Sequence, residues 1–215
     1  MTRALVFDLD GVLLDSEQVW NEAKEQVTRE RGGRWRDDAP RHMMGMSSPE
    51  WARYLREELG VPLDMNAISD DVVRRMDRIY REELPLIDGA VEAVERLAAS
   101  VPLGLASSSN REIIDLFLEL TGLGPRFAAT VSSEEVERGK PAPDVFLEVL
   151  RRMGADPARS VAVEDSENGI RAAKAAGMRV LALPNPHYPP DPATVEAADE
   201  VLGSLHELTA ERAFG

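Results

Sequence analysis

Residues 4–11 read ALVFDLDG. The stretch decides the fold because it joins two incompatible halves. Residues 4–9 form a short apolar run with β-branched and aromatic members, which predicts a buried strand. The run then ends abruptly in Asp8, Asp10 and Gly11. In an extended segment, positions i and i+2 project to the same side, so the two carboxylates share a face and Leu9 turns away. Gly11 allows a sharp turn directly afterwards. Two crowded carboxylates repel, and a divalent cation relieves that repulsion. Solvated turn aspartates before a glycine are the plainer alternative. An EF-hand is a poor match, because its glycine falls later in the loop than Gly11 does.

Outward from this stretch the pattern changes. Residues 15–83 are rich in charge and helix formers, with helices expected near 17–31, 50–59 and 69–83. Between the first two, RGGRWRDDAPRHMMGMSSP (31–49) predicts a loop or broken helix. From about residue 86 strand-like and helix-like segments alternate. A helix is expected over 89–99 with Asp88 as N-cap, and a strand over 102–106. A helix over 111–120 and a strand over 127–131 follow. Next come a helix over 143–153 ending near Gly154, a strand over 160–164, and a helix over 166–176 with Gly177 as C-cap. A strand over 179–183, a Pro-rich loop (PNPHYPPDP), a short strand around 199–202 and a last helix complete the chain. This alternation predicts an α/β fold: a Rossmann-like parallel sheet flanked by helices, with strands buried on both faces. Residues 1–14 and 84–215 would form that core, and 15–83 an inserted all-helical cap domain. Two short neighbouring crossings between the parts permit a hinge.

Composition bounds the function. The 215 residues carry 25 Lys+Arg against 39 Asp+Glu, a net charge of −14. That balance argues against non-specific nucleic-acid binding and against docking on anionic membranes. The chain has no cysteine, which excludes disulfides, thiol nucleophiles and Cys-ligated metals. The first apolar run is too short for a signal-peptide core and no run is long enough to span a membrane, so the expected compartment is the cytoplasm. His42, His187 and His206 share no spacing and are expected at the surface, in loops or the last helix.

In open α/β sheets, ligands sit beyond the carboxyl ends of the strands. Four predicted strands deliver chemistry there: Asp8 and Asp10, then Ser107, then Lys140 in SSEEVERGKPAP, then Glu164 and Asp165. Each has a plainer alternative. Ser107 can belong to a capping cluster with Asn110, Lys140 can be a solvated lysine, and Glu164 and Asp165 can be acids at a helix N-terminus. Taken together they suit phosphoryl transfer, which needs a nucleophile, an acid/base, a cation and donors for the spread charge. Mg2+ fits an all-oxygen carboxylate site.

These residues carry a resemblance. DLDGVLLDSE (8–17), LASSS (105–109), GKPAPDVF (139–146) and VEDSENGIRAAKAAGM (163–178) resemble the four ordered motifs of the haloacid dehalogenase-like hydrolases. The subfamily resembled is that of β-phosphoglucomutase and small sugar-phosphate phosphatases, which place a helical cap after the first motif. The resemblance implies Asp8 as nucleophile, forming an aspartyl-phosphate, and Asp10 as acid and then base. It implies Ser107 and the amides of Leu9 and Ser108 as phosphoryl donors, and Lys140 as the neutralising cation. Asp8, the Asp10 carbonyl and Asp165 would hold Mg2+, with Glu164 direct or through water. Asp10 argues against the dehalogenase and phosphonatase branches.

Trp20 and Met44-Gly45-Met46-Ser47-Ser48 stand where the mutases place a histidine and an Arg/Lys pair, which favours hydrolysis over the phosphomutase alternative. Asp15 to Trp20 (DSExxW) looks like the hexose- and hexitol-phosphate phosphatases. Trp20, Arg41, His42 and Ser47 are the substrate-binding candidates of the cap. Met43, Met44 and Met46 are expected to pack within it. A receiver-like phosphoacceptor domain is a remote alternative, since DxDG here ends the first strand. The expected partner is a small phosphorylated metabolite, and the expected state a monomer or weak dimer.

Overall fold

The computed structural model of the chain describes residues 2–44, 46–185 and 191–215. His187 and most of the Pro-rich loop lie outside the described residues, as does Gly45. Six parallel strands form one sheet in the order β3-β2-β1-β4-β5-β6. They are β1 (Leu5–Phe7), β2 (Leu103–Ser107), β3 (Phe127–Ser132), β4 (Val161–Glu164), β5 (Arg179–Ala182) and β6 (Glu200–Val201). The order reverses at β1, which pairs with β2 on one side and β4 on the other. That reversal opens a crevice at the strands' carboxyl ends, where ligands bind in such sheets.

The strands read as continuous apolar runs because both of their faces are covered. Leu5, Phe7, Leu103, Leu105, Val161 and Val163 point to one side, into the larger apolar cluster. Ala4, Val6, Ala106, Ala162, Val180 and Ala182 point to the other. The second face carries the smaller side chains and lies under α7 (Asp144–Met153) and α8 (Glu167–Ala175). Close approach explains the small residues: a Cβ on Gly104 would lie 2.8 Å from Met153 Sδ and 3.0 Å from Val149 Cγ2.

Between β1 and α5 (Ala90–Ala98) the chain forms α1 (Glu17–Glu30), α2 (Ala39–Met43), α3 (Ser48–Glu57) and α4 (Met65–Glu82). Both α1 and α3 pack on α4. The four helices share the larger apolar cluster with one face of the sheet. The chain leaves and rejoins the sheet through two strands of backbone lying side by side. Asp15 N donates to Pro85 O (2.8 Å), Ile87 N donates to Leu13 O (3.0 Å), and Leu14 and Leu86 form an antiparallel bridge. α6 (Arg111–Thr121), α9 (Pro192–Ala197) and α10 (Ala210–Phe214) are the remaining α-helices among the described residues.

Departures from expectation are local. The stretch expected as a loop or broken helix contains the short helix α2, which tolerates Pro40 because a first-turn residue needs no intrahelical N–H partner. α3 starts earlier than expected, where Ser47 N and Oγ both donate to Glu50 (2.8 and 2.6 Å). α4 starts earlier too, and Asp64 accepts from Ala67 N there. Asp88 does not cap α5. Gly89 does, at φ 79°, a left-handed turn that a side chain would strain. The Asp88 carboxylate instead meets His206 Nε2 at 2.9 Å. His206 lies in a 3-10 turn, Leu205–Glu207, ahead of the last helix. Among the described residues no helix is long and apolar enough to cross a membrane.

Candidate active site

β1 delivers Asp8 to the crevice. Its backbone N–H still follows the ladder, donating to Val163 O at 3.0 Å. The chain then turns: Leu9 O accepts from the amides of Leu13 and Leu14, and Gly11 takes φ 82°. The Leu9 side chain is fully buried, away from the crevice. Gly11 also clears space, since a Cβ there would lie 1.9 Å from Asp165 Oδ2.

Asp8 and Asp10 border one cavity of about 450 Å3 but have separate partners. Asp8 Oδ1 accepts from Lys140 Nζ at 2.5 Å. Lys140 donates its other two protons to Glu164 Oε1 (2.5 Å) and Ala106 O (3.1 Å). The second oxygen of Glu164 accepts from the amides of Asp165 and Ser166 and from Ser166 Oγ. Lys140 follows the 3-10 turn after β3 and precedes a cis peptide bond to Pro141. Asp8, Lys140 and Glu164 are all buried.

Asp10 is gripped from two directions. Ser16 Oγ (2.5 Å) and Trp20 Nε1 (2.9 Å), at and just inside the start of α1, donate to Oδ1. From the loop after β2, Ser109 Oγ (2.5 Å) and, at 3.4 Å, Ser107 Oγ donate to Oδ2. Ser107 is fully buried and also accepts from Ser109 N (3.0 Å). Of the Ser cluster, Ser108 and Ser109 border the cavity.

Oxygens of Asp8, Glu164 and Asp165 lie within 4.8 Å of one another. Three carboxylates face one buried ammonium there, which leaves excess negative charge in a poorly solvated place. Burial pushes the Asp8 carboxyl up to about 8; Lys140 opposes this, and Glu164 and Asp10 add to it. Burial, then Glu164 and Asp8, hold Asp165 well above the usual carboxylate range. For Lys140 burial works downward, but Asp8 and Glu164 outweigh it, so the ammonium is held charged. The all-oxygen donor set fits a hard divalent cation, which would draw the carboxyls back toward ionisation. Asp10 belongs to a different polar cluster: its carboxylate points at the serines and Trp20, not at that donor set.

The helices between β1 and α5 wall the cavity. Trp20, Arg41 and the methionines Met43, Met44 and Met46 all border it, so these methionines do more than pack among the helices. Two of the cap candidates do not reach it. His42 is exposed on α2, stacked on Tyr54 at 6.0 Å and 3.3 Å from Asp38. Ser47 uses its hydroxyl and amide on Glu50 to start α3. Neither borders the cavity.

Sequence reading missed Ser16, Glu17, Lys24 and Ser109. The signal for Lys24 was its spacing. It lies four residues after Trp20, on the same buried face of α1 as Ala23 and Val27.

The class that fold, site and relatives define is the phosphoric monoester hydrolases. The chain belongs to the haloacid dehalogenase-like hydrolase family, whose family model matches residues 5–183. It is 35% identical over 218 residues to hexitol phosphatase B of Escherichia coli K12, covering 99% of this chain and 96% of that one. It is 35% identical over 179 residues to a fructose-1-phosphate phosphatase of the same organism, covering 81% and 92%. Among solved structures, CbbY from Rhodobacter sphaeroides in complex with phosphate superposes with a TM-score of 0.86 at 26% identity. That match covers 100% of this chain and 99% of the other.

Proposed function

We propose that the protein is a Mg2+-dependent phosphatase of small phosphorylated metabolites, with sugar phosphates as its substrate class, working through an aspartyl-phosphate. One observation carries this reading: the crevice holds two aspartates with different partners, one on a buried lysine and one on an alcohol-and-indole clamp. Substrates named for relatives 35% identical to this chain support the sugar-phosphate class.

In the first step an Asp8 oxygen attacks phosphorus and the ester P–O bond breaks. Asp10 gives its proton to the departing alcohol oxygen. In the second step water attacks the same phosphorus, Asp10 takes a proton from it, and the acyl phosphate releases phosphate and free Asp8. Lys140 holds Asp8 in place and offsets phosphoryl charge. Ser107, with the amides of Leu9 and Ser108, supplies donors to the phosphoryl oxygens. Asp8, the Asp10 carbonyl and Asp165, with Glu164 beside them, would hold Mg2+, which when bound supplies charge stabilisation to the phosphoryl oxygens. Residues 15–83 act as the cap, hinging at the paired crossings and closing over the substrate. Trp20 and Arg41 contact the leaving group from that side.

Phosphate release from a panel of hexose, hexitol and nucleoside phosphates tests the reading. Asp8→Asn is expected to cut kcat by at least about a thousandfold with the fold unchanged. A retained rate removes Asp8 as nucleophile. Conversion of β-glucose 1-phosphate to an isomer with almost no free phosphate would instead establish the mutase alternative.

A further inference from the structure

We propose that Lys24 determines substrate specificity: it donates to a neutral hydroxyl on the leaving-group end of the substrate, Glu17 accepts from that end, and the cavity thereby selects polyhydroxylated monophosphates over esters with a second anion. The inference rests on the phosphatase reading above and extends it to the far end of the substrate.

Lys24 is only 6% exposed, yet its side chain borders the cavity. Its ammonium lies 5.2 Å from the ring centre of Trp20 and 5.4 Å from that of Trp51. Among the described residues, no acceptor lies within hydrogen-bond distance of Nζ and no carboxylate within ion-pair distance. Burying an ammonium this way is costly, and two indole faces recover only part of the lost hydration. Such a group is well placed for an oxygen brought by a ligand.

Its position says which part of the ligand. The Trp20 indole touches Lys24 through its face and Asp10 through its N–H. Lys24 and the acid/base of the reaction therefore flank one ring. A phosphoryl group on Asp8 leaves its alcohol beside Asp10, and the remainder of that alcohol extends along the wall that Trp20 and Lys24 share.

The neighbours say what chemistry. Glu17, two turns before Lys24 on α1, also borders the cavity, and among the described residues its hydrogen-bond partner is Asn21 Nδ2 at a long 3.5 Å. An anion drawn to Lys24 would sit between Glu17 and Asp10. A hydroxyl accepts from Lys24 and donates to Glu17, which leaves neither unpaired. Arg41 is exposed on the same cavity and is the group a second anion would meet first.

Lys24→Met keeps the apolar stem and removes the donor; Lys24→Gln keeps a shorter, neutral donor. The measurement is kcat and KM for sorbitol 6-phosphate, pentyl phosphate and fructose 1,6-bisphosphate. Wild type is expected to prefer the hydroxylated monophosphate. Lys24→Met should shrink its kcat/KM advantage over pentyl phosphate by roughly ten- to a hundredfold, chiefly through KM, with Lys24→Gln in between. Lys24→Met removes the cost of burying an ammonium but also the charge that faces Glu17 and Asp10, so its thermal midpoint is expected to stay within a few degrees of wild type. If the Met variant does not fold, the Gln variant carries the same comparison. An unchanged ratio overturns the proposal, and so does a loss confined to the bisphosphate. If wild type releases phosphate from none of these esters nor from an aryl phosphate, the phosphatase reading itself fails and takes this inference with it.

Discussion

A Cβ at position 169 would lie 1.9 Å from Glu164 Oε1, so only glycine lets the first turn of α8 pass over that carboxylate. Ala is the better helix former by about 1 kcal/mol, and on an open helix the change would stabilise. Here it must push Glu164 off Lys140. Gly169→Ala is expected to destabilise the fold by about 2–4 kcal/mol and to cut kcat on the order of a hundredfold. Urea midpoints and phosphate release measure the two effects, and an unaltered Ala variant would mean that Glu164 does not position Lys140. At this scale the sequence was most informative where a strand ended. Asp8, Asp10, Lys140, Glu164 and Asp165 could be assembled on paper because a parallel sheet brings its carboxyl ends to one edge. Ser109 could not be told from Ser107, since three consecutive serines differ only in the direction each faces. His42 and Ser47 failed for a related reason: they lie in irregular backbone or a very short helix, where spacing does not fix direction. Lys24 was passed over because a lysine on an amphipathic helix ordinarily faces water.

Among the elements, the junction of α3, α4 and α6 turns on one side chain. Asn110 sits at the N-cap of α6 but makes no capping bond. Its Oδ1 accepts from Ser48 Oγ (2.7 Å), and its Nδ2 donates to Ser69 Oγ (3.1 Å) and Glu134 Oε1 (2.8 Å). Ser48 opens α3 and Ser69 lies on α4, so one amide ties two of the inserted helices to the sheet side of the molecule. Asn110→Ala leaves buried Ser48 without its acceptor, and a loss of about 2–3 kcal/mol is expected from chemical denaturation. A change below ~0.5 kcal/mol, the size of an ordinary surface substitution, would show the junction to be carried by apolar contact alone. Element boundaries were legible to within a few residues because both periodicities, continuous apolar runs and helical stripes, are strong here. The sheet order was not, because partners such as Leu5 and Val161 are far apart in sequence and nothing local records their pairing.

For the molecule as a whole, charge is the governing quantity. A net charge of −14 repels a phosphate dianion at long range, but screening beyond roughly 8 Å leaves the local field to Lys140 and to any cation the carboxylates hold. A ligand that binds only the folded state stabilises it by about 2.7 kcal/mol at a hundred times its Kd. For a chain of this length that predicts a rise of several degrees in thermal midpoint when Mg2+ replaces EDTA. Asp165→Ala should abolish both the rise and the Mg2+ dependence of turnover. A midpoint indifferent to Mg2+ in the parent chain would remove the cation from the carboxylate cluster.

The sheet order also governs how the molecule comes into being. β1 is one of the two central strands of the sheet, yet its central neighbour β4 follows it in the chain by more than a hundred residues. At 5–20 residues per second, that strand edge waits on the order of ten seconds for its partner. A nascent chain therefore carries Asp8 long before it carries Lys140 or Glu164, and it stays inert and adhesive until late in synthesis. Chaperone dependence should consequently track the speed of translation between β1 and β4, while the finished enzyme shows none of it.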